Sequence, residues 1–417
     1  MSKFSEILKN RNFFLLWLGQ IISQLGDKFG QMALIGCIHQ DALGSSIQLA
    51  KLLSFTILPV FLIGPVAGVY VDRWDRRRTM FISDFLRAGL VLLIPLFLLA
   101  KNYLVFIYLL IFIIFSIGRF FVPAKLSIIP ELVKNEELLI SNSLVNTTGM
   151  IATIAGFGIG GLIVEYLGVQ KAFYLNALSF LISAALIFFL SSKKTSGIKI
   201  RQVGRQIFEV IQKSVMQEVR EGIIYFIKQK QVRFTGIIMF LLGAAGGSVY
   251  IVGIVFIRQT LKTVTLDLGF LIMFLGLGLF LGSLVYGRFG QRLSHYEMIF
   301  SSLIVSGIIL ILFAIILERY PYFLIAATLS LALGLFVSPI IIASNTIVHQ
   351  ASDNAMMGKT FSSLEILMHL GFFLFMFISS LLAEKFSPLP VLVTVGIVFS
   401  LIGVVNLIFH QRIPWLD

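Results

Sequence analysis

Long apolar runs separated by short polar breaks fill the chain from Phe13 to Ile408. The runs approach or exceed the roughly 20 residues that an α-helix needs to cross a bilayer. Reading them against that length predicts twelve helices. Their centres fall near Ile22, Leu62, Leu90, Ile113, Thr153 and Leu181, then near Leu242, Leu277, Val305, Leu331, Phe372 and Val398. The first run, Phe13 to Ile38, follows a basic start but is too long for a signal-peptide core and lacks a small-residue cleavage site; it is expected to remain as a helix.

The longest polar segment, Ser191 to Arg233, carries ten Lys or Arg and splits the runs six and six. Inside it Ile207, Val210, Ile211, Val215, Val219 and Ile223 recur at helical spacing, with Arg205, Lys213, Gln217 and Arg220 between them. That pattern predicts an amphipathic helix on the inner leaflet; a solvated linker helix fits it equally. The expected organisation is an all-α membrane protein with a six-helix bundle over 1–190, a basic linker over 191–233 and a second six-helix bundle over 234–417.

Charge then sets the orientation. Of the 33 Lys and Arg, 23 fall in segments assigned to one side of the membrane, 7 on the other, and Lys28, Arg87 and Arg119 lie within spans. Basic loops stay in the cytoplasm, so both termini are expected there, in a multi-pass protein of a bacterial-type inner membrane. The composition agrees: 58% of residues are hydrophobic and 13% charged, against roughly a quarter charged in soluble domains. A net charge of +13 taken alone points to nucleic acid, but its placement in loops between apolar runs excludes that partner.

The halves echo each other. Gly64-x-x-x-Gly68 is matched by Gly278-x-x-x-Gly282, and Phe121-Val-Pro123 by Val337-Ser-Pro339, at offsets of 214 and 216 residues. Two such repeats in parallel form the plan of a transporter with its site near the middle of the membrane.

The segment Gly68-Val-Tyr-Val-Asp72-Arg73-Trp-Asp75-Arg76-Arg77-Arg78 puts six charges into the seven residues from Asp72 to Arg78, between two apolar runs. It resembles the loop between the second and third helices of major facilitator superfamily transporters. Phe13 to Asp27, Phe120 to Lys125, Ile129 to Val133 and Glu218 to Tyr225 are similar to the branch of that superfamily with enterobactin exporters and macrolide efflux proteins. The resemblance implies a monomeric twelve-helix fold in two pseudo-repeats. It also implies a conformational latch built from Gly68, Asp72, Arg73, Asp75, Arg76 and Arg77. Asp72 would close a helix at its negative end, where a carboxylate gains by meeting a cation or a helix N-terminus. The same charges also serve as topology markers. Gly156-Phe157-Gly-Ile-Gly160-Gly161 resembles an antiporter signature with Phe157 in place of proline; its glycines, Gly156, Gly160 and Gly161, are expected to pack helices closely. Lys125, where the efflux branch more often has Arg, is shared with lysophospholipid transporters.

Within the spans, Asp27 is the leading ionisable candidate. It falls about 14 residues into the first helix, about 20 Å at 1.5 Å per residue, and a carboxylate at such depth is a functional hypothesis by default. It is read either as a proton site or as a structural ion pair, with Lys28 beside it. Arg119 is a candidate for an anionic substrate or for a pair with Asp84 or Asp27. Glu365 and His369 stand four apart on one helix face, either a proton relay or a solvated pair at the mouth. Several phenylalanines, Phe372 among them, could line an adaptable pocket. The five histidines are dispersed and Cys37 is the single cysteine, so neither a metal site nor a disulfide is expected. No phosphate-binding Gly-Lys-Ser/Thr loop or catalytic constellation is present; the reading is not an enzyme and needs no cofactor.

The function expected is secondary active transport: proton-coupled export of hydrophobic or amphipathic small molecules, of drug or siderophore type, by alternating access, with the bilayer and protons as partners. The alternatives are a lysophospholipid transporter and a non-transporting membrane sensor of the same fold.

Overall fold

A computed structural model describes residues 4–41, 46–64, 67, 71, 74–98, 103–191, 229–261, 264–290, 294–352 and 357–410. The amphipathic linker helix, together with Gly68, Asp72 and Arg73, lies outside the described residues. After a short helical turn at Phe4–Ile7, twelve long helices follow. They are α1 (Arg11–Asp41), α2 (Ser46–Leu62), α3 (Arg76–Phe97), α4 (Tyr103–Leu132), α5 (Leu138–Leu167) and α6 (Val169–Phe188), then α7 (Lys230–Thr260), α8 (Val264–Phe289), α9 (His295–Arg319), α10 (Phe323–Ala351), α11 (Met357–Phe386) and α12 (Pro388–His410).

Ten of these are long and apolar enough to cross a membrane. The other two depart from that rule for different reasons. α1 has 31 residues but carries Gln20, Ser23, Gln24, Asp27, Lys28 and Gln31. α2 is strongly apolar, but its helix is only 17 residues long. Burial is distributed as a lipid solvent demands. Leu96, Val105, Leu178 and Leu401 face outward, while Ser141, Ser183, Ser344 and Ser380 are fully buried. Small residues bring helix backbones close together; Ser183 finds a partner on a neighbouring helix, whereas the hydroxyls of Ser141, Ser344 and Ser380 have none among the described residues.

The chain divides into two compact units, Met1–Asp41 with Leu52–Val215, and Ala42–Lys51 with Met216–Asp417. In the first, α1 packs on α5 and α6, and α3 packs on α4 and α6. In the second, α7 packs on α11 and α12, and α9 on α10 and α12. Each pairing recurs six helices later, so the repeat seen in sequence is a repeat of packing. The joints repeat as well. Gly168, at φ +88°, is the single residue between α5 and α6, and Ser387, at φ +78°, is the single residue between α11 and α12. A positive φ costs glycine nothing and costs serine steric strain.

Close approach explains the glycines of the expected packing motif. A Cβ at Gly156 would lie 2.9 Å from Lys28 Cβ on α1, and one at Gly160 would lie 3.2 Å from the Lys28 carbonyl oxygen and 3.3 Å from Phe29 Cα. Gly161 is buried beside them. The paired glycines of the two halves are less alike. A Cβ at Gly278 would stand 3.0 Å from Leu335 N, and one at Gly282 would stand 2.9 Å from Ser338 Cβ on α10, whereas a Cβ at Gly64 would meet nothing within 4 Å.

Candidate functional site

Several polar residues of α1 find partners inside the first unit, while Gln20 Nε2 is buried without one among the described residues. Trp17 Nε1 donates to Thr148 Oγ1 on α5 at 2.9 Å. Two turns of α1 beyond Gln20 stands Asp27, whose side chain stays 39% accessible although the helix around it is packed on α5 and α6. Lys28, the neighbour expected to pair with it, turns away: its Nζ donates to Gln31 Oε1 at 3.2 Å and lies 5.0 Å from the centre of the Phe157 ring. The residue that replaces the motif proline is therefore the aromatic face over which Lys28 rests, a favourable placement for an ammonium.

Arg87 on α3 faces Asp27. Its Nη1 is 3.9 Å from Asp27 Oδ2, and its Nη2 is hydrogen-bonded to Asp84 Oδ1 one turn back on the same helix. Asp84 has no solvent exposure, and its second oxygen accepts from Ser183 Oγ on α6 at 2.6 Å. The guanidinium is stacked against two rings, 4.2 Å from the centre of Phe180 and 5.0 Å from that of Phe121. Both carboxylate oxygens of Asp84 are thus engaged, as a buried ion pair requires, while Arg87 Nε has no hydrogen-bond partner among the described residues. Arg87, Lys28 and Arg119 all act on Asp27 by charge, Arg87 most strongly. The structure thus gathers Asp27 with Arg87, Asp84 and Ser183, while Arg119 reaches Asp27 through its charge. The signal for this cluster was in the sequence as Asp84-x-x-Arg87, an i,i+3 pair within an otherwise apolar run.

The described part of the charged loop has defined partners. Asp75 caps α3, its side chain accepting from Arg78 N at 2.9 Å. Arg76 donates to the Ser127 carbonyl at 2.9 Å and pairs with Glu131, both on α4. Arg77 donates to the Ile187 carbonyl at 3.2 Å and to that of Phe188, covering the last carbonyls of α6. A carboxylate at a helix start and a cation at a helix end both favour the helix dipole. Beneath them Phe13, Leu16, Met80, Ile128 and Ile187 form a buried core where α1 and α3 begin and α4 and α6 end.

In the second unit, His369 and Glu365 are joined through the backbone: His369 Nδ1 lies 2.8 Å from the Glu365 carbonyl oxygen, and the Glu365 side chain is exposed.

A family model described as transmembrane secretion effector matches residues 2–401. The chain belongs to that family of the major facilitator superfamily. It is a multi-pass membrane transporter acting on small molecules, not an enzyme. Among its relatives are macrolide efflux protein A of Streptococcus pyogenes, 23% identical over 89% of each chain, and the putative bacilysin exporter BacE of Bacillus subtilis (strain 168), 26% identical over 97% of each. The uncharacterized MFS-type transporter YkuC of the same Bacillus is 25% identical over 81% of this chain and 77% of its own. Among solved structures, a bacterial homologue of the iron transporter ferroportin in an inward-facing state superposes with a TM-score of 0.74, covering 94% of this chain and 98% of that one at 12% identity. At that identity the likeness speaks for the fold alone.

Proposed function

We propose that this transporter exports hydrophobic or amphipathic small molecules in exchange for protons, by alternating access. The observation that carries the coupling is the placement of Asp27, a partly accessible carboxylate deep in α1 that faces a cation already shared with a second, fully buried carboxylate. Two acids competing for Arg87 make a group whose charge balance changes when Asp27 takes a proton. Export is supported by the relatives named for efflux of a macrolide and of bacilysin. On this reading the bundles at 1–190 and 234–417 rock about the linker at 191–233. The loop from Gly68 to Arg77 is the latch, with Asp72 and Arg73 as its moving charges and Asp75, Arg76 and Arg77 as its anchor in the first bundle. The protein works as a monomer in the cytoplasmic membrane of a bacterium, with both termini inside.

The test is purified protein in liposomes with a pH-sensitive dye trapped inside, challenged with a macrolide, bacilysin, a siderophore and a lysophospholipid. Proton movement driven by one of the first three, and lost in Asp27→Asn, is the expected result. Cargo movement without protons ends the coupling, and response to the lysophospholipid alone ends the drug or siderophore reading.

A further inference from the structure

The second unit holds a half-open cavity of about 410 Å³ to which all six of its helices contribute. Packed interiors keep few voids larger than a water molecule, and this volume falls in the range of small-molecule pockets. The void arises from sequence: α7 presents Gly246 and Gly253 to it where larger apolar residues would fill it. No Lys, Arg, Asp or Glu lines the cavity among the described residues, so a charged group inside would meet no permanently charged side chain as a counter-ion.

Four lining residues have polar side chains. Ser306 Oγ donates to the Leu303 carbonyl at 3.2 Å, and His369 Nδ1 is held by the Glu365 carbonyl. Tyr250 on α7 and Ser330 on α10 differ from these. Tyr250 packs its ring against Phe372 with 6.0 Å between centres, Ser330 is 7% exposed, and neither hydroxyl makes a hydrogen bond to a described residue. Both line the cavity without a protein partner among the described residues, whereas a serine in a helix ordinarily bonds back to its own backbone, as Ser248 does to the Ala244 carbonyl.

We propose that this cavity is a binding site for an uncharged, largely apolar molecule bearing hydrogen-bond acceptors, received by the Tyr250 and Ser330 hydroxyls. In naming the transported cargo as the occupant, whose apolar body the cavity holds, the inference rests on the export reading above. The binding itself does not require transport. An ionised headgroup is excluded from this volume, so an amphipathic cargo places only its apolar body here.

The full-length protein in detergent, captured for scintillation-proximity measurement, tests this with tritiated progesterone, an uncharged probe with two carbonyl acceptors. The parent is expected to bind it saturably, and pregnenolone sulfate, similar in shape but anionic, is expected to displace it at least tenfold more weakly than unlabelled progesterone. A Cβ at Gly253 comes no nearer than 3.9 Å to Val249 Cγ1, so Gly253→Leu fills the cavity without displacing backbone; affinity should fall tenfold or more. Tyr250→Phe keeps the ring against Phe372, removes one donor and should weaken binding several-fold. Absence of saturable binding by the parent, equal displacement by the sulfate, or parental affinity in a folded Gly253→Leu protein each overturns the site. If Gly253→Leu does not fold, unchanged affinity in Tyr250→Phe overturns it. Saturable binding that both variants weaken, with no cargo movement in liposomes, upholds the cavity and rejects the export reading. Cargo movement that Gly253→Leu leaves intact upholds the export reading and rejects the transported cargo as the occupant of this cavity.

Discussion

Arg87 Nη1 on α3 stands 3.9 Å from Asp27 Oδ2 on α1 while Arg87 Nη2 is bound to Asp84. The guanidinium therefore has one firm partner and one at the edge of contact. The firm partner is held by Ser183 as well, whereas Asp27 is partly accessible. This asymmetry assigns Asp84 to fixing Arg87 in place and leaves Asp27 as the carboxyl free to change its charge.

Removing Arg87 strands Asp84 without a counter-ion. Arg87→Met is expected to lower stability by about 3–5 kcal/mol, the usual cost of breaking a buried pair from one side. The double variant Asp84→Leu/Arg87→Met should recover most of that loss, because no buried charge is left. Thermal unfolding in detergent measures both; a double variant as unstable as the single one would mean that Arg87 stabilises through its ring contacts instead.

Asp27→Asn keeps size and most hydrogen-bonding capacity while holding the group neutral. The folded protein should unfold within a few degrees of the parent, since Arg87 retains Asp84, and cargo-driven proton movement should drop to the protein-free background. Normal proton coupling in this variant would place the coupling carboxyl elsewhere.

The glycine contacts give opposite predictions at two positions. Gly160→Leu drives a side chain into the Lys28 carbonyl and the Phe29 backbone, and should cost about 1–3 kcal/mol, as overpacking does. Gly64→Ala meets open space, and should be neutral or stabilise by up to about 1 kcal/mol, the helix preference of alanine over glycine. Equal unfolding temperatures for the two variants would contradict the packing described.

Ser387 turns α11 into α12 with a positive φ, where the equivalent joint in the first unit has Gly168. Ser387→Gly should raise stability by about 0.5–1 kcal/mol, the strain relieved less the added freedom of the unfolded chain. A fall in unfolding temperature would show that the serine side chain makes a compensating contact.

Most of this fold was legible because membrane helices announce themselves one at a time. Each apolar run between Phe13 and Ile408 carries its own length signal, and the echo of Phe121-Val-Pro123 in Val337-Ser-Pro339 announced the repeat. The site was legible only in part. Asp27 stood out as a charge in an apolar run, yet its facing cation lies 60 residues away on a helix that does not adjoin α1 in sequence. Lys28, the nearest cation in sequence, points elsewhere because consecutive helical residues diverge by about 100° around the axis. The spacing of Glu365 and His369 places them one turn apart, but spacing cannot distinguish a carboxylate from the backbone carbonyl as the partner of the ring. The cavity of the second unit had no local signal, since six helices each contribute a few residues to it.

The glycine seam between α5 and α1 has a practical consequence. With Gly156 laid against the base of the Lys28 side chain and the Leu25 backbone, and Gly160 against the Lys28 carbonyl and the Phe29 backbone, little free space is left to absorb sliding, so the two helices travel as one body. Ile159 sits on the opposite, exposed side of that body, and the lone native thiol, Cys37, is buried. A spectroscopic label on an introduced cysteine at 159 would therefore follow the helix that carries Asp27 without touching the carboxylate, its ion pair or the native thiol.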